Sequence, residues 1–146
     1  MLTELERLGR AIKAAQARHH RALDTGLRSI GSTLTQWDAL RAISHLPGAS
    51  AHDLAIATFQ TDQSLGTLAN RLESQGLIER RPGRGRRIEH HLTAPGEAIV
   101  RAGQRIATEV LAESFADLSE PERAHLLRLL GKVGVRIGEP DPLAAS

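Results

Sequence analysis

The sequence predicts a mainly α-helical protein that carries one two-stranded β hairpin. Apolar residues recur every three or four positions through most of the 146 residues, which is the period of an amphipathic helix. Strand-like segments occur on the two sides of one Arg- and Gly-rich turn, and the second of them alternates apolar and polar residues. Hydrophobic residues make up 40% and charged residues 25% of the chain, which is the composition of a folded globular protein.

The composition argues against several classes of function. The chain has no cysteine, which excludes disulfide bonds, thiolate metal ligands and thiol redox sensing. No apolar run approaches the roughly 18 residues of a membrane span, and the N-terminus lacks a signal-peptide core, so we expect a soluble cytoplasmic protein without membrane partners. One Trp, two Phe and no Tyr argue against a binder of single-stranded nucleic acid that stacks bases on aromatic side chains.

The first predicted helix begins near Leu5 and runs for about seven turns, until Gly26 and Gly31 weaken it. Its stripe consists of Leu5, Leu8, Ile12, Ala15, His19, Ala22 and Leu23. Few of these side chains are large, which in so long a helix indicates packing against a second chain as well as against the protein's own core. We therefore expect a homodimer.

The second and third predicted helices are short and are bounded by capping residues. The second is predicted from Leu34, Trp37, Leu40, Ala42 and Ile43 at helical spacing, with Thr35 as its N-cap and Pro47-Gly48 as its stop signal. The third has about two turns and begins with Ser50 and Asp53 at the spacing of a capping box, although Asp is shorter than the usual Glu or Gln.

The fourth predicted helix has two chemically different faces, and Gly76 ends it as the C′ residue. The apolar face consists of Leu65, Leu68, Ala69 and Leu72, and the opposite face carries Asp62, Gln63, Ser64, Thr67, Asn70 and Arg71. Short polar side chains near a helix N-terminus can reach base edges and phosphates in a major groove about 12 Å wide, so this pattern predicts a DNA recognition helix. Gly66, in the middle of the helix, fits either close packing or close approach to DNA.

The turn between the two strands is strongly basic. Five arginines lie between Arg80 and Arg87, interleaved with Pro82, Gly83 and Gly85. Glu79 and Glu89 are the nearby acids, and two carboxylates leave an excess of positive charge. Because the whole chain has a net charge of only +2, this concentration predicts a polyanionic partner, with phosphate or the DNA minor groove as its contact.

Two further helices are predicted after the hairpin. The first follows the second strand and repeats Ile99, Gly103, Ile106, Val110 and Leu111 at helical spacing. The second begins with Ser119 as its cap and has Pro121 in its first turn, with Glu122 completing a capping box. The Pro-containing tail after residue 138 is expected to be frayed.

These features together resemble the MarR family of winged helix-turn-helix transcriptional regulators. The resemblance runs from LTQWDALRAI through LANRLESQGLIERR and the hairpin to LTAPGEAI, and it extends to LSEPERAHLLRLL. It implies that the fourth helix reads the major groove, that the hairpin is a wing in the minor groove, and that the terminal helices form a dimer. It also implies residues 1–31 as an N-terminal dimerisation helix, 32–94 as the DNA-binding region, 95–138 as C-terminal dimerisation helices and 139–146 as a tail.

The chain departs from the family pattern at two places. Arg84 stands where the wing usually carries an Asp, so the usual pairing of that Asp with an Arg two residues later, here Arg86, is missing. The recognition helix has Gly66 and Thr67 where the family often has Thr and Arg. Specificity should therefore depend on other contacts, and the expected DNA-binding residues are Gln63, Ser64, Thr67, Arg71, Arg84, Arg86 and Arg87.

Histidine and tryptophan are candidates for an effector site. The resemblance implies a cavity for a small aromatic or anionic ligand between the dimer helices and the winged region, and His19, Trp37 and His45 are the residues that we assign to it. Each residue also has a simpler interpretation. Either histidine can be hydrogen-bonded by other groups of the protein, and the tryptophan can be an ordinary core residue. Adjacent histidines on a helix or strand diverge, so no metal site and no cofactor are expected.

The sequence therefore predicts a homodimeric, sequence-specific regulator of transcription that binds double-stranded DNA at a pseudo-palindromic operator, as a ligand-responsive repressor. No catalytic residues are expected, because no nucleophile motif, phosphate loop or paired carboxylates occur. Two alternatives stay open at this point: a winged-helix module that binds an acidic protein through its basic loop, and a metal-dependent sensor.

Overall fold

In the computed structural model, residues 1–134 are described and form six helices and one two-stranded antiparallel sheet. The helices are α1 (Glu4–Arg28), α2 (Leu34–His45), α3 (Ala51–Ala57), α4 (Asp62–Ser74), α5 (Ala94–Ser114) and α6 (Glu120–Gly134), and the strands are β1 (Ile78–Pro82) and β2 (Ile88–Leu92). The expected order of helices and strands is confirmed. The predicted tail 139–146 lies outside the described residues.

The chain divides into two compact units. The first, Met1–Leu111, contains α1 to α4, the hairpin and most of α5, and the second, Ala112–Ser146, contains the end of α5 and all of α6. The core of the first unit is formed by α2, α3, α4 and the hairpin. Its largest fully buried side chains include Leu40, Leu54, Leu65, Leu72, Ile78 and His90. Each buried leucine contributes about 1.5–3 kcal/mol, so this core sets the relative positions of the elements around it.

A second cluster holds α1 and α2 against α5. Leu27, Trp37 and Ala107 are its buried members. The indole N–H of Trp37 donates to the Val100 carbonyl oxygen at 3.2 Å, and the ring covers Gly103, where an added Cβ would overlap Trp37 Nε1. Gly103, which the sequence pattern marked only as part of a helical stripe, is therefore a close-packing position.

The N-cap of α2 differs from the sequence expectation, which placed it at Thr35. The cap is Thr33, whose Oγ1 accepts from the Gln36 backbone N–H at 3.1 Å, while the Gln36 side chain accepts from the Thr33 N–H at 3.3 Å. Thr35 was the wrong choice because Gln36 lies three residues after Thr33, the spacing that a reciprocal capping box requires. Thr35 instead lies in the first turn of the helix.

Other predicted caps are confirmed. Ser50 and Asp53 form a capping box with both backbone-to-side-chain distances at 3.2 Å, so the shorter acid is long enough here. Ser119 and Glu122 form another at 2.9 and 3.3 Å. Gly76 follows α4 with a φ of +74°, the left-handed conformation in which glycine avoids the penalty of a Cβ.

The replacement Gly103→Ala should destabilise the protein. The new methyl group would overlap the Trp37 indole, and overpacking of this kind costs about 1–3 kcal/mol. Urea unfolding followed by tryptophan fluorescence measures the change. Gly9→Ala is the matched control, because nothing lies within 4 Å of a Cβ at that helical position. Equal stability of Gly103→Ala and wild type would contradict the close packing.

Candidate nucleic-acid interface

The outward face of α4 gathers four of the residues predicted to contact DNA. Gln63, Ser64, Thr67 and Arg71 line an open groove of about 470 Å³, together with Thr35, Gln60 and Leu68. All four predicted residues are exposed, whereas Leu65, Ala69 and Leu72 on the other side of the helix are buried, and the largely buried Leu68 lies at the boundary between the two faces. The amphipathic pattern therefore orients α4 as expected, with hydroxyl, carboxamide and guanidinium groups facing solvent.

The N-terminal end of α4 is tied to α3 by a histidine and a carboxylate. His52 Nδ1 lies 3.0 Å from Asp62 Oδ1. The hydrogen bond to Asp62 and the negative charge of that carboxylate raise the pKa of His52 above its ordinary value. Both side chains are largely exposed, so the pair stabilises the junction of the two helices only modestly.

The C-terminal end of α4 is tied to the hairpin. Glu73 Oε1 accepts from Arg80 Nη2 at 2.8 Å, and Glu73 Oε2 accepts from the Arg80 backbone N–H at 3.2 Å. The hydrogen bond from the guanidinium lowers the pKa of Glu73 and raises that of Arg80. One arginine of the basic segment therefore fixes the hairpin to the recognition helix.

The hairpin turn is tighter than the sequence suggested. Arg80, Arg81 and Pro82 belong to the antiparallel ladder, opposite His90, Glu89 and Ile88. The chain reverses between Pro82 and Ile88, where Gly83 N–H donates to the Arg87 carbonyl oxygen at 2.8 Å and Gly85 adopts a φ of +62°. The turn projects residues 84–86 away from the ladder.

Two more of the five arginines have partners within the chain. Arg81 pairs with Glu79 at 2.8 Å. Arg87 donates to Asp53 Oδ2 at 3.1 Å and to the Gly48 carbonyl oxygen at 3.2 Å, which connects the base of the hairpin to α3. Contact of Arg87 with DNA stays a prediction, and the structure shows that this arginine also holds the base of the hairpin within the chain. No sequence signal pointed to this contact, because Asp53 was already explained as a cap.

The remaining two arginines are the exposed cations of the turn. Within residues 1–134, no hydrogen bond or ion pair engages the side chains of Arg84 or Arg86. The excess positive charge inferred from the sequence is thus concentrated at two guanidinium groups at the tip. These groups are available to phosphate oxygens or to the floor of a minor groove.

A buried histidine, whose role the sequence did not reveal, anchors the second strand. His90 is 2% exposed, and its Nδ1 lies 2.9 Å from the Ala49 carbonyl oxygen. Its backbone N–H also donates to that oxygen at 3.1 Å. The only sequence signal was its place on the apolar side of the strand. The hairpin is therefore attached to the chain segment before α3 as well as to α4.

The residues assigned to an effector site occupy different environments. Trp37 is buried, with its N–H already bonded, whereas His45 is exposed at the end of α2 and His19 is partly buried on α1. Trp37 therefore packs in the core. An effector site at His19, Trp37 and His45 stays a prediction.

Residues 1–134 meet neither the requirements of a membrane-spanning helix nor those of a metal-binding cluster. Over residues 1–134, no helix combines the length and apolarity needed to cross a membrane. In that part of the chain, no group of three or more histidine, aspartate or glutamate side chains is placed to hold a metal ion.

The chain is similar in sequence to known transcriptional regulators. Residues 30–88 match the sequence profile of the MarR family. The chain is 30% identical over 114 residues to the HTH-type transcriptional repressor Rv2887 of Mycobacterium tuberculosis, an alignment that covers 77% of this chain and 82% of that protein. It is 33% identical over 103 residues to the transcriptional regulator HosA of Escherichia coli, over 69% of this chain and 76% of HosA.

A solved structure has a similar fold over most of the chain. A cysteine-to-serine mutant of MarR from E. coli, complexed with operator DNA, superposes with a TM-score of 0.83 at 26% identity, over 89% of this chain and 95% of that one. A fold similar to that of this chain therefore occurs in a protein that has been crystallised with its operator DNA.

The His52 contact should make stability depend on pH. A pKa raised in the folded state means that the stabilisation is fully present below the ordinary pKa and is lost as the pH rises through the raised value. The unfolding midpoint of His52→Ala should thus fall below that of wild type at about pH 5.5 and approach it at about pH 8.5. Thermal unfolding across this range measures both. His45→Ala is the control, because His45 is an exposed histidine that has no hydrogen-bonded carboxylate in the described part of the chain. A difference in unfolding midpoint between wild type and His52→Ala that increased toward high pH would contradict the contact.

Proposed function

This chain belongs to the MarR family of winged helix-turn-helix transcriptional regulators, and we propose that it represses transcription by binding a pseudo-palindromic DNA operator as a homodimer. The chain is a sequence-specific DNA-binding regulator and not an enzyme. We expect it in the cytoplasm with the DNA that it regulates. The domain limits expected above, with residues 32–94 as the DNA-binding region between two dimerisation segments, belong to the same proposal.

One observation supports the DNA-binding proposal most strongly. The polar face of α4, whose two ends are held by ion pairs, occurs together with two exposed guanidinium groups at the hairpin tip. Gln63, Ser64, Thr67 and Arg71 offer donors and acceptors suited to base edges and phosphates in the major groove. Arg84 and Arg86 at the tip supply charge for the phosphate backbone or the adjacent minor groove. Contact by Arg87 would require it to leave Asp53, so we assign it to positioning the wing.

Exposed apolar side chains support the dimer. On α1, Leu5 is 79% and Leu8 is 54% exposed, and on α6, Leu127 and Val133 are 56% and 63% exposed. Burial of such side chains in a homodimer would remove them from water and stabilise each helix. Leu8, Ile12, Leu126 and Leu130 are the interface residues that we propose. Ile137, which the sequence pattern adds to them, lies outside the described residues.

A small aromatic acid is the proposed effector class. The M. tuberculosis relative Rv2887 has been crystallised in complex with salicylic acid, at 29% identity to this chain and a TM-score of 0.71, over 87% of this chain and 96% of that one. His19 and His45 could donate to a carboxylate or phenolate. Such a ligand relieves repression only if it prefers the dimer geometry that does not fit DNA.

Wing and helix variants should affect DNA binding in different ways. Arg84→Ala and Arg86→Ala should weaken binding to most duplexes similarly and reduce the salt slope by about one for each lost phosphate contact. Ser64→Ala and Thr67→Ala should instead change which bases are preferred. The measurement is fluorescence anisotropy over a range of salt, on an operator selected from random DNA and on scrambled duplexes.

Arg101→Ala, on the exposed side of α5, is the charge-matched control and should leave the salt slope unchanged. If Arg86→Ala kept both the affinity and the salt slope of wild type, the wing would not contact DNA. If wild type bound an acidic protein but no duplex, the DNA-binding proposal would be wrong.

A salicylate-like acid at millimolar concentration should weaken operator binding of wild type, and it should do so less in His19→Ala. The histidine is expected to donate a hydrogen bond to the acid, and its loss lowers the differential affinity that drives release. Titration of the preformed protein–operator complex with the acid measures the effect. His20→Ala removes the neighbouring histidine, which points about 100° away on α1, and should respond as wild type does. Equal inhibition of His19→Ala and wild type would remove His19 from the site.

A further inference from the structure

Gly66 has no structural explanation within the described part of the chain. It lies in the middle of α4, where glycine costs about 1 kcal/mol relative to alanine. Apart from the adjacent residues and the backbone of the helix itself, no atom lies within 4 Å of the position that a Cβ would occupy, and the φ of Gly66 is not positive. Neither packing nor backbone conformation therefore requires glycine, and the position is open to a partner that approaches α4 from outside.

The neighbours of Gly66 on the helix surface are set by helical geometry. Asp62, Asn70 and Glu73 lie four residues before, four after and seven after it, so they share its face. Asp62 is bonded to His52, and Glu73 is bonded to Arg80 of β1. Gly66 therefore lies between the ion pairs of Asp62 and Glu73 along the helix, and it presents backbone without a side chain on the face of α4 that is next to the wing.

Asn70 is the unengaged polar group of this strip. Its side chain is exposed, and no hydrogen bond among residues 1–134 involves its carboxamide. The carboxamide has one acceptor and two donor positions, which match N6 and N7 of adenine in a bidentate pair. Gly66 lies four residues away, about 6 Å along the helix axis.

We propose that Gly66 and Asn70 together read one A·T base pair in the major groove. Asn70 donates to adenine N7 and accepts from adenine N6. The thymine of the same pair presents its C5 methyl group on the same groove edge, and the missing side chain at Gly66 leaves room for that methyl group. This assignment rests on the proposed DNA-binding function, and it adds two specificity-determining residues to the groove-lining set of Gln63, Ser64, Thr67 and Arg71.

The test combines protein and DNA changes. Gly66→Ala should keep or raise thermal stability, because alanine favours the helix and its Cβ meets nothing in the chain. It should nevertheless weaken binding to the selected operator by about tenfold, because its methyl group clashes with the thymine methyl group. Replacing thymine by uracil removes the DNA methyl group, so uracil at one position in each half-site should restore the affinity of Gly66→Ala toward that of wild type.

Asn70→Ala supplies the second part of the test. This variant should lose discrimination between A·T and G·C at the same base pair that uracil substitution identifies, while it retains the preferences of wild type elsewhere. Wild type on the uracil-containing operator is the control, and it should bind that duplex about as tightly as the unmodified operator.

The outcomes separate this inference from the proposed function. If wild type binds no duplex specifically, the DNA-binding function itself is wrong. If wild type binds its operator and Gly66→Ala binds as tightly, the open space at Gly66 is not used, and the inference fails. If Gly66→Ala binds the operator more weakly but uracil restores its affinity at no position, the reading of an A·T pair is contradicted. It is also contradicted if Asn70→Ala distinguishes A·T from G·C at every position as wild type does.

Discussion

The burial of one side of α4 is the constraint on which the DNA-facing surface depends. Leu65 and Leu72 are each 1% exposed, and each contributes about 1.5–3 kcal/mol, whereas a largely exposed ion pair such as His52–Asp62 adds little to stability. Burial therefore decides which face of the helix points outward. The ion pairs at its two ends then connect the helix to α3 through His52 and to the hairpin through Arg80.

The wing shows that the position of a charge matters more than the number of charges. Three of its five arginines serve the fold, since Arg80 pairs with Glu73, Arg81 with Glu79 and Arg87 with Asp53. The contact of Arg87 with Asp53 and Gly48 holds the base of the wing in a chain that has Arg84 in place of the usual wing aspartate. The two guanidinium groups at the tip can consequently contact DNA without giving up a partner among the described residues.

Much of this fold was predictable from local sequence patterns, because helix periodicity and capping act over a few residues. The apolar face of α4, the capping boxes at Ser50 and Ser119, and the stop at Gly76 are of this kind. Contacts between distant segments were not predictable. Arg87 and Asp53 are separated by 34 residues, and Trp37 meets Gly103 across two elements, so nothing near either residue indicates its partner. The N-cap of α2 was misplaced because two threonines lie close together and only the glutamine spacing distinguishes them.

Methylation interference on the selected operator tests the proposed DNA-binding mode most directly, because it reports the two grooves separately. Dimethyl sulfate modifies guanine N7 in the major groove and adenine N3 in the minor groove. With α4 in the major groove and the wing in the minor groove, guanine methylation should block binding within two half-sites about 10 bp apart, and adenine methylation should block it only in the flanking minor grooves. Interference confined to one groove, or to a single asymmetric site, would contradict a dimer that binds through both α4 and the wing.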